Sequence, residues 1–141
     1  MKHRKTYRTG EKERLEIVER ITAIISQEPE IVFAFLHGSF LLEPLFRDID
    51  LGILVRGIDP SGYWDYECKL SHRIEDALHF SFPVELKVIN ETPLSFCFHV
   101  IRGKLLFAQD EGLLVDFMVR IARDYLDIAP LRHHYIKVAM A

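Results

Sequence analysis

The sequence predicts an α/β (α+β) fold in which helices pack on a small mixed β-sheet. Three segments have the apolar composition or the alternation of β-strands, and the segments between them carry apolar residues at helical spacing. Alternating strands and helices bury their apolar faces when the helices cover a sheet. With 141 residues, the chain is long enough for one continuous core but too short for two. We therefore expect one domain over residues 1–141, with residues 1–9 as a flexible basic tail.

A helix and a buried strand are predicted first along the chain. Thr9 is placed to cap a helix whose acidic first turn begins at Glu11, and Pro29 is placed to end it. The apolar face of this helix consists of Leu15, Val18, Ile21 and Ile25. Residues 31–36 form a continuous β-branched and aromatic run, which is typical of a strand that is buried on both faces.

The second predicted strand runs from Asp48 to Val55 and has alternating side chains. Asp48 and Asp50 share one face of it, and apolar residues occupy the other face. Two aspartates separated by one residue on a strand lie about 6 to 7 Å apart along the chain. Their oxygens can therefore converge on one metal ion or bracket a pair. Magnesium favours such hard oxygen ligands and combines them with the phosphates of a substrate.

A third strand, residues 84–89, is predicted after a turn at residues 59–62 and a helical stripe over residues 63–78. Glu85 and Lys87 share one face of this strand, opposite its apolar side chains. Glu85 is a third carboxylate that can complete the metal cage or take the proton from an attacking hydroxyl. Lys87 is expected to be a simple salt-bridge partner of Glu85.

The remaining elements are two helices and a short strand. Thr92 and Pro93 are expected to start a helix that Gly103 ends, before a strand over residues 104–107. Asp110 is placed to cap a last long helix. Pro130 is expected to break or kink this helix, which leaves a short C-terminal helix to about residue 140.

Composition and charge exclude several classes of function. Charged residues make up 28% and apolar residues 49% of the chain, which is ordinary for a soluble globular protein. A formal net charge of −3 argues against a broad nucleic-acid surface. The apolar runs are far shorter than the roughly 20 residues of a membrane span, so we expect a cytoplasmic protein without membrane contact. Cys68 and Cys97 are expected to be buried, reduced thiols, and His133 with His134 a solvated face without metal.

Gly38 and Ser39 form a second candidate for chemistry, at the carboxyl end of the first strand. Glycine lets the backbone approach an anion closely, and the serine hydroxyl and following N–H groups can donate to phosphate oxygens. A Gly-Ser pair alone is a weak signal, and so is Asp-Ile-Asp alone. Their order along the chain, with a third acid on the next strand, is much harder to obtain by chance. Arg47 precedes the acidic pair, where it either touches a phosphate or only shields the two aspartates.

These motifs resemble the signature of the DNA polymerase β-like nucleotidyltransferase superfamily. The matching stretches are LHGS at residues 36–39 and, after eight further residues, DIDL at residues 48–51. Within that superfamily, the small size and later segments resemble the minimal nucleotidyltransferases (MNT). These are often encoded beside a HEPN-domain protein, as the antitoxin of a toxin–antitoxin pair. The later matching segments are residues 84–86, 92–94, 103–106 and 125–127.

The resemblance implies a nucleotidyltransferase fold and a role for each site residue. Gly38 and Ser39, with Arg47, would bind the nucleoside triphosphate. The metal ligands and catalytic acids would be Asp48, Asp50 and Glu85, with Mg²⁺ as the cofactor. The implied activity is transfer of AMP from ATP to an acceptor, a tyrosine of a partner HEPN toxin, with pyrophosphate leaving. A homo-oligomer is also compatible with the resemblance.

Two alternatives belong to other classes of protein. Arg73 and His79 fit the loose arginine-to-histidine spacing of HEPN ribonucleases, but those are helical bundles and the predicted strands contradict that fold. The second alternative is a catalytically inactive antitoxin that neutralises its partner by binding alone. The apolar stretch at residues 40–42 favours it, because an exposed apolar loop suggests a protein partner. Transfer of label from ATP separates this alternative from the enzyme.

Overall fold

The computed structural model describes residues 5–140, with the side chains of residues 5–127 and 130. Its elements, in chain order, are β1 (Tyr7–Arg8), α1 (Glu11–Ile25), β2 (Ile31–His37), α2 (Ser39–Leu42), β3 (Leu45–Phe46), β4 (Ile49–Val55), a 3₁₀ turn (Pro60–Gly62), α3 (Tyr63–Ala77), β5 (Val84–Val88), α4 (Leu94–Ile101), β6 (Lys104–Ala108) and α5 (Glu111–Met140). The helices and strands alternate as the sequence predicts. No helix in this described part is both long and apolar enough to cross a membrane.

A four-stranded sheet with the order β5-β4-β2-β6 forms the centre of the fold. β2 is antiparallel to both of its neighbours, whereas β4 and β5 run parallel. The sheet is therefore mixed, which confirms the predicted fold class. It also contradicts the all-helical alternative based on Arg73 and His79. Arg73 instead forms an ion pair with Glu28.

Separate apolar clusters cover the two faces of this sheet. α1 and α3 contribute to the cluster on one face, and α4 and α5 contribute to the cluster on the other. All seven residues of β2 are buried because this central strand has a helical layer on each side. Burial on both faces explains its continuous apolar sequence, as predicted.

α4 packs closely against the face of β4 that carries Asp50. A Cβ added at Gly52 of β4 would lie 2.6 Å from Cγ1 of Val100, which is closer than real Cβ atoms approach. The glycine therefore lets α4 lie directly on the face of β4 that carries Asp50. The opposite face of β4 presents its apolar side chains to the core.

Several predicted helix ends differ from the structure. Thr9 does not cap α1, because Gly10 occupies the N-cap position and the buried Thr9 hydroxyl finds no partner among residues 5–127. α1 also ends at Ile25, before Pro29, and α4 starts after Pro93 rather than at it. Asp110 does cap α5, since its Oδ1 accepts a hydrogen bond from Leu113 N at 3.0 Å.

Pro130 does not divide the last helix. α5 is one helix of 30 residues with Pro130 inside it, so the separate C-terminal helix is wrong. Proline removes a single backbone donor, and hydrogen bonds on both sides can keep the helix continuous. The histidine pair at residues 133–134 lies outside the described side chains.

The amino-terminal segment takes part in a two-stranded ribbon. Tyr7 and Arg8, which the sequence assigns to a tail, pair antiparallel with β3. The Tyr7 ring packs against Phe46 and Phe82, with centroids 5.8 and 5.3 Å away. This aromatic contact, made between distant parts of the chain, has no local sequence signal.

Both cysteines are free thiols, but they differ in exposure. Cys97 is buried, as predicted, and its Sγ lies 3.2 Å from the Thr92 hydroxyl. Cys68 is exposed on α3, so its predicted burial is wrong. The helix presents this position to solvent because its buried face is formed by Glu67, Leu70 and Ile74.

Candidate active site

Three carboxylates meet at the edge formed by β4 and β5. One oxygen each from Asp48, Asp50 and Glu85 lies within 4.8 Å of the others. Asp50 and Glu85 are direct partners in the parallel β4–β5 register, and Asp48 comes one residue before β4. Adjacent strands therefore bring together acids that are far apart in sequence. The spatial grouping that the sequence predicts is confirmed by this geometry.

The carboxyl group of Asp50 has a strongly raised pKa. Burial first, and then the charges and hydrogen bonds of Asp48 and Glu85, raise the pKa of Asp50 to about 7. Among the described residues, no lysine or arginine forms an ion pair with any of the three acids. Three close carboxylates without a balancing cation are a donor set that fits a divalent metal ion with oxygen ligands.

Gly38 lies against this acidic cluster. Its φ of +83° is in the region that favours glycine, and a Cβ there would lie 2.2 Å from Asp50 Oδ2. His37, the preceding residue, pairs with Asp50 in the antiparallel β2–β4 register. Only glycine thus combines this turn with the close approach to Asp50. Ser39 begins α2, and its backbone oxygen accepts a hydrogen bond from Glu43 N at 2.8 Å.

A cavity of about 600 Å³ opens beside two of the three acids. Its size is within the usual range of small-molecule sites. Residues from β2, β4, β5 and α4 contribute to it. The residues that line it are His37, Asp50, Leu51, Glu85, Lys87, Thr92, Pro93, Phe96 and His99.

His37 forms the buried wall between the strands and α4. It is only 7% exposed, and its ring contacts Phe96 and His99 edge-on. Within the part of the chain that the structure describes, its Nδ1 has no hydrogen-bond partner. Burial first, and then His99, lower the pKa of His37 to about 4, although Asp48 acts in the opposite direction. The imidazole is therefore neutral at pH 7. Sequence reasoning missed Phe96 and His99, although their i, i+3 spacing places both on one helix face.

The structure gives the positions of two basic residues that were considered for the site. Lys87 lines the cavity, but its Nζ pairs with Glu67 Oε2 at 3.8 Å and not with Glu85. Glu67 is buried and also accepts a hydrogen bond from Val88 N at 2.8 Å. Arg47 is exposed, and it is not among the described residues that line this cavity. Its assignment to nucleotide binding stays a prediction.

Arg14 of α1 holds the segment that follows Gly38. Its guanidinium donates to the backbone oxygens of Phe40, Glu43 and Pro44, the last two at 2.9 and 3.4 Å. It also lies 4.8 Å from the centre of the Phe40 ring. Sequence reasoning missed this residue, because nothing near Arg14 in the sequence indicates contacts so far along the chain.

Replacing Arg14 with glutamine is expected to loosen this segment. The change removes charge-assisted hydrogen bonds to three carbonyl groups, so we expect a loss of about 1–2 kcal/mol in the free energy of unfolding. Urea denaturation measures it. Arg20→Gln is the matched control on the same helix, because Arg20 makes a single exposed hydrogen bond to the described residues, of 3.4 Å to Ala77 O. Equal losses in the two variants would contradict the assignment.

The fold and the site together define a class of protein. Clustered carboxylates beside a glycine turn and an open cavity are typical of enzymes that transfer phosphate-containing groups with divalent cations. The family described as "Polymerase beta, Nucleotidyltransferase" matches residues 19–112, well over half of the chain. The chain belongs to this nucleotidyltransferase family.

Solved structures with the same fold come from toxin–antitoxin complexes. One contains the tri-AMPylated Shewanella oneidensis HEPN toxin with the MNT antitoxin, at 21% identity and a TM-score of 0.66, covering 91% of this chain and 99% of the other. The toxin–antitoxin MntA-HepT matches at 20% identity and a TM-score of 0.64, covering 90% and 99%. A toxin–antitoxin structure with AMP-PNP matches at 22% identity and a TM-score of 0.65, covering 88% and 98%. A comparison with curated proteins finds no significant match.

Proposed function

We propose that this chain transfers AMP from ATP to a partner HEPN toxin and thereby acts as an antitoxin. The observation that carries the proposal is the group of Asp48, Asp50 and Glu85, whose oxygens lie within 4.8 Å of one another beside a cavity of about 600 Å³. Membership of the nucleotidyltransferase family supports the reaction class. The fold shared with MNT antitoxins in complexes with HEPN toxins supports the acceptor.

Each residue of the site has a role in this proposal. Asp48, Asp50 and Glu85 hold Mg²⁺, which when bound neutralises phosphate charge and lowers the barrier to displacement at phosphorus. Gly38 and Ser39 contact the triphosphate, with the Ser39 hydroxyl donating to a phosphate oxygen.

The reaction is an in-line displacement. The acceptor hydroxyl oxygen bonds to the α-phosphorus of ATP, and the bond from that phosphorus to the oxygen bridging to the β-phosphorus breaks. Pyrophosphate leaves with that bridging oxygen and its electron pair. The hydroxyl proton passes to Glu85, the exposed member of the three acids, and from there to solvent. The cytoplasm, where ATP and Mg²⁺ are both abundant, is the compartment that we propose for it.

Label transfer tests the proposal directly. The chain is incubated with α-labelled ATP, Mg²⁺ and the HEPN protein encoded beside it, and the products are separated by gel electrophoresis. We expect labelled HEPN protein and released pyrophosphate, and no label when the HEPN tyrosine is replaced by phenylalanine. Unlabelled HEPN protein under these conditions would contradict the enzyme.

Binding without transfer is the second candidate function, and one observation favours it. Leu42 is 76% exposed beside the site, although Phe40 in the same stretch is buried at 2%, so the predicted exposed apolar loop is wrong in part. α2 turns Phe40 into the core because that side chain packs on Phe46 with ring centroids 4.8 Å apart. A stable complex that forms without any label transfer would identify this function.

A further inference from the structure

We propose that one face of α5 is an interface between two copies of this chain, which pair through their α5 helices in antiparallel orientation. This face consists of Val115, Val119, Ala122 and Leu126, and we call it the α5 stripe. The inference goes beyond the proposed function, because it involves no residue of the acidic site and does not depend on nucleotide transfer.

The α5 stripe is apolar, and the described part of the chain leaves most of it uncovered. Val115, Val119 and Leu126 are 55%, 57% and 61% exposed, and Ala122 is partly buried. The residues of α5 that pack in the core are Leu114, Phe117 and Ile121. The stripe lies about 140° around the helix axis from these residues, so it faces away from the sheet. Single exposed apolar side chains are common, but a row of them along one helix indicates a surface that another molecule covers.

The spacing within the stripe is typical of a helix that packs against another helix. Its members follow one another at intervals of four, three and four residues, which is the alternation of the a and d positions of a coiled coil. The stripe extends over about three turns of α5, a helix of 30 residues. The occupant that fits this surface is therefore a second helix.

The stripe is complementary to itself when the two helices run antiparallel. A two-fold axis that crosses α5 between residues 120 and 121 places Val115 opposite Leu126 of the second copy. The same axis places Val119 opposite Ala122 of the second copy, and symmetry repeats both contacts. In the two central layers a valine thus faces an alanine, which lets the helices approach closely.

The charges beside the stripe favour a second copy in this orientation. Asp116 and Arg123 are both exposed, lie seven residues apart and flank the same side of the stripe. In the antiparallel pair, Asp116 lies beside Arg123 of the second copy, whereas a parallel pair would bring like charges together. The present partner of Arg123 is its neighbour Asp124, with Nε and Oδ1 3.5 Å apart. Such an exposed pair contributes little, so exchanging it for the new contact costs little.

Analytical ultracentrifugation of the full chain without nucleotide tests the interface. Four side chains cover less than the roughly 800 Å² per partner of a standard interface, so we expect a reversible dimer with a dissociation constant in the micromolar range. Val119→Asp should abolish the dimer, because it places a charge in the apolar contact. Leu15→Asp is the matched control, since Leu15 is also 57% exposed but lies on α1. Thermal unfolding verifies that each variant retains the fold.

Charge reversal tests the antiparallel register. Asp116→Arg and Arg123→Asp should each weaken self-association about tenfold, because each places like charges together at two symmetric positions. When the two variant chains are mixed, opposite charges meet again, so the mixture should associate as tightly as the wild-type chain. A chain that carries both changes should also dimerise like the wild type.

The possible outcomes separate this interface from other occupants of the stripe and from the proposed function. A wild-type chain that stays monomeric well above micromolar concentration overturns the proposal, and so does a dimer that Val119→Asp leaves intact. If the chain alone is monomeric and Val119→Asp prevents binding of the HEPN protein, the stripe is a surface for that partner and self-pairing is wrong. Mixed charge variants that fail to associate overturn the antiparallel register. None of these measurements uses a nucleotide, so a lack of label on the HEPN protein would overturn the proposed function alone.

Discussion

Asp50→Asn is expected to abolish nucleotide transfer while making the metal-free protein more stable at and above neutral pH. The asparagine removes the proposed metal ligand at the centre of the acidic group, so we expect a loss of several kcal/mol in transition-state stabilisation, or at least about a thousandfold in rate. It also removes a half-buried negative charge beside Asp48 and Glu85. Label transfer measures the first effect, and thermal unfolding in a chelator measures the second.

The pH dependence of this stabilisation follows from the raised pKa. The folded-state pKa of Asp50 is about 7, above its ordinary value of 3.8, so the folded protein holds the proton more tightly. Protonated Asp50 therefore contributes to the free energy of unfolding of the wild-type protein. This contribution is complete below about pH 4, falls as the pH rises towards 7, and is absent above that. Solvent screening reduces the difference to about 1–2 kcal/mol for a partly exposed group. The asparagine variant should not show this decline.

Asp65→Asn is the matched control for the loss of one negative charge. Asp65 is exposed and forms an i, i+4 pair with Lys69 at 2.9 Å, an interaction that contributes little to stability. Its replacement should leave both transfer and the pH profile unchanged. Normal transfer by Asp50→Asn, or the same decline in its stability from pH 4 to 7, would refute the role that we give to Asp50.

Gly38→Ala is expected to reduce transfer about 100-fold and to destabilise the protein. The methyl group would lie 2.2 Å from Asp50 Oδ2, so either the turn or the carboxylate must move. A displacement of about 1 Å at a reacting centre costs about 100-fold in rate. The positive φ adds about 1 kcal/mol of backbone strain.

Gly57→Ala is the control that separates the steric clash with Asp50 from the backbone strain of a positive φ. Gly57 has a φ of +77°, nearly that of Gly38, but a Cβ there would meet nothing within 4 Å. Both variants should therefore lose about 1 kcal/mol to backbone strain, which urea denaturation measures. Only Gly38→Ala should also lose transfer and metal-induced thermal stabilisation. Comparable activity in the two alanine variants would show that the contact with Asp50 is unimportant.

The acidic group could be predicted because its geometry is local and periodic. Alternation along β4 places Asp50 on the face opposite the apolar core, and the β5 pattern places Glu85 opposite its own apolar residues. The register was not predicted from the sequence, and the parallel pairing of β4 with β5 places Asp50 directly beside Glu85. The central residues of the predicted strands agree with the structure for the same reason, because the alternation of side chains does not depend on where a strand begins or ends.

Contacts between distant segments could not be predicted in the same way. The guanidinium of Arg14 binds carbonyl groups beyond α2, and Lys87 pairs with Glu67 of α3 instead of its strand neighbour. Backbone groups carry no sequence signal, so a partner such as Glu43 O is invisible before the fold is known. Phe40 was assigned to an exposed loop because residues 40–42 are all apolar. Such a stretch has no alternation of polar and apolar residues that would show which side chain is buried.

The third acid lies on β5, a strand at the edge of the sheet with β4 as its neighbour. Edge strands open more readily than central ones, and here such opening would carry Glu85 away from Asp50. A cation bound by residues of both strands would hold β5 against β4. Amide hydrogen exchange along β5 should then be slower when the cation is bound. Opening of β5 would in turn release the cation, so the proposed metal site and this edge strand should gain and lose order together.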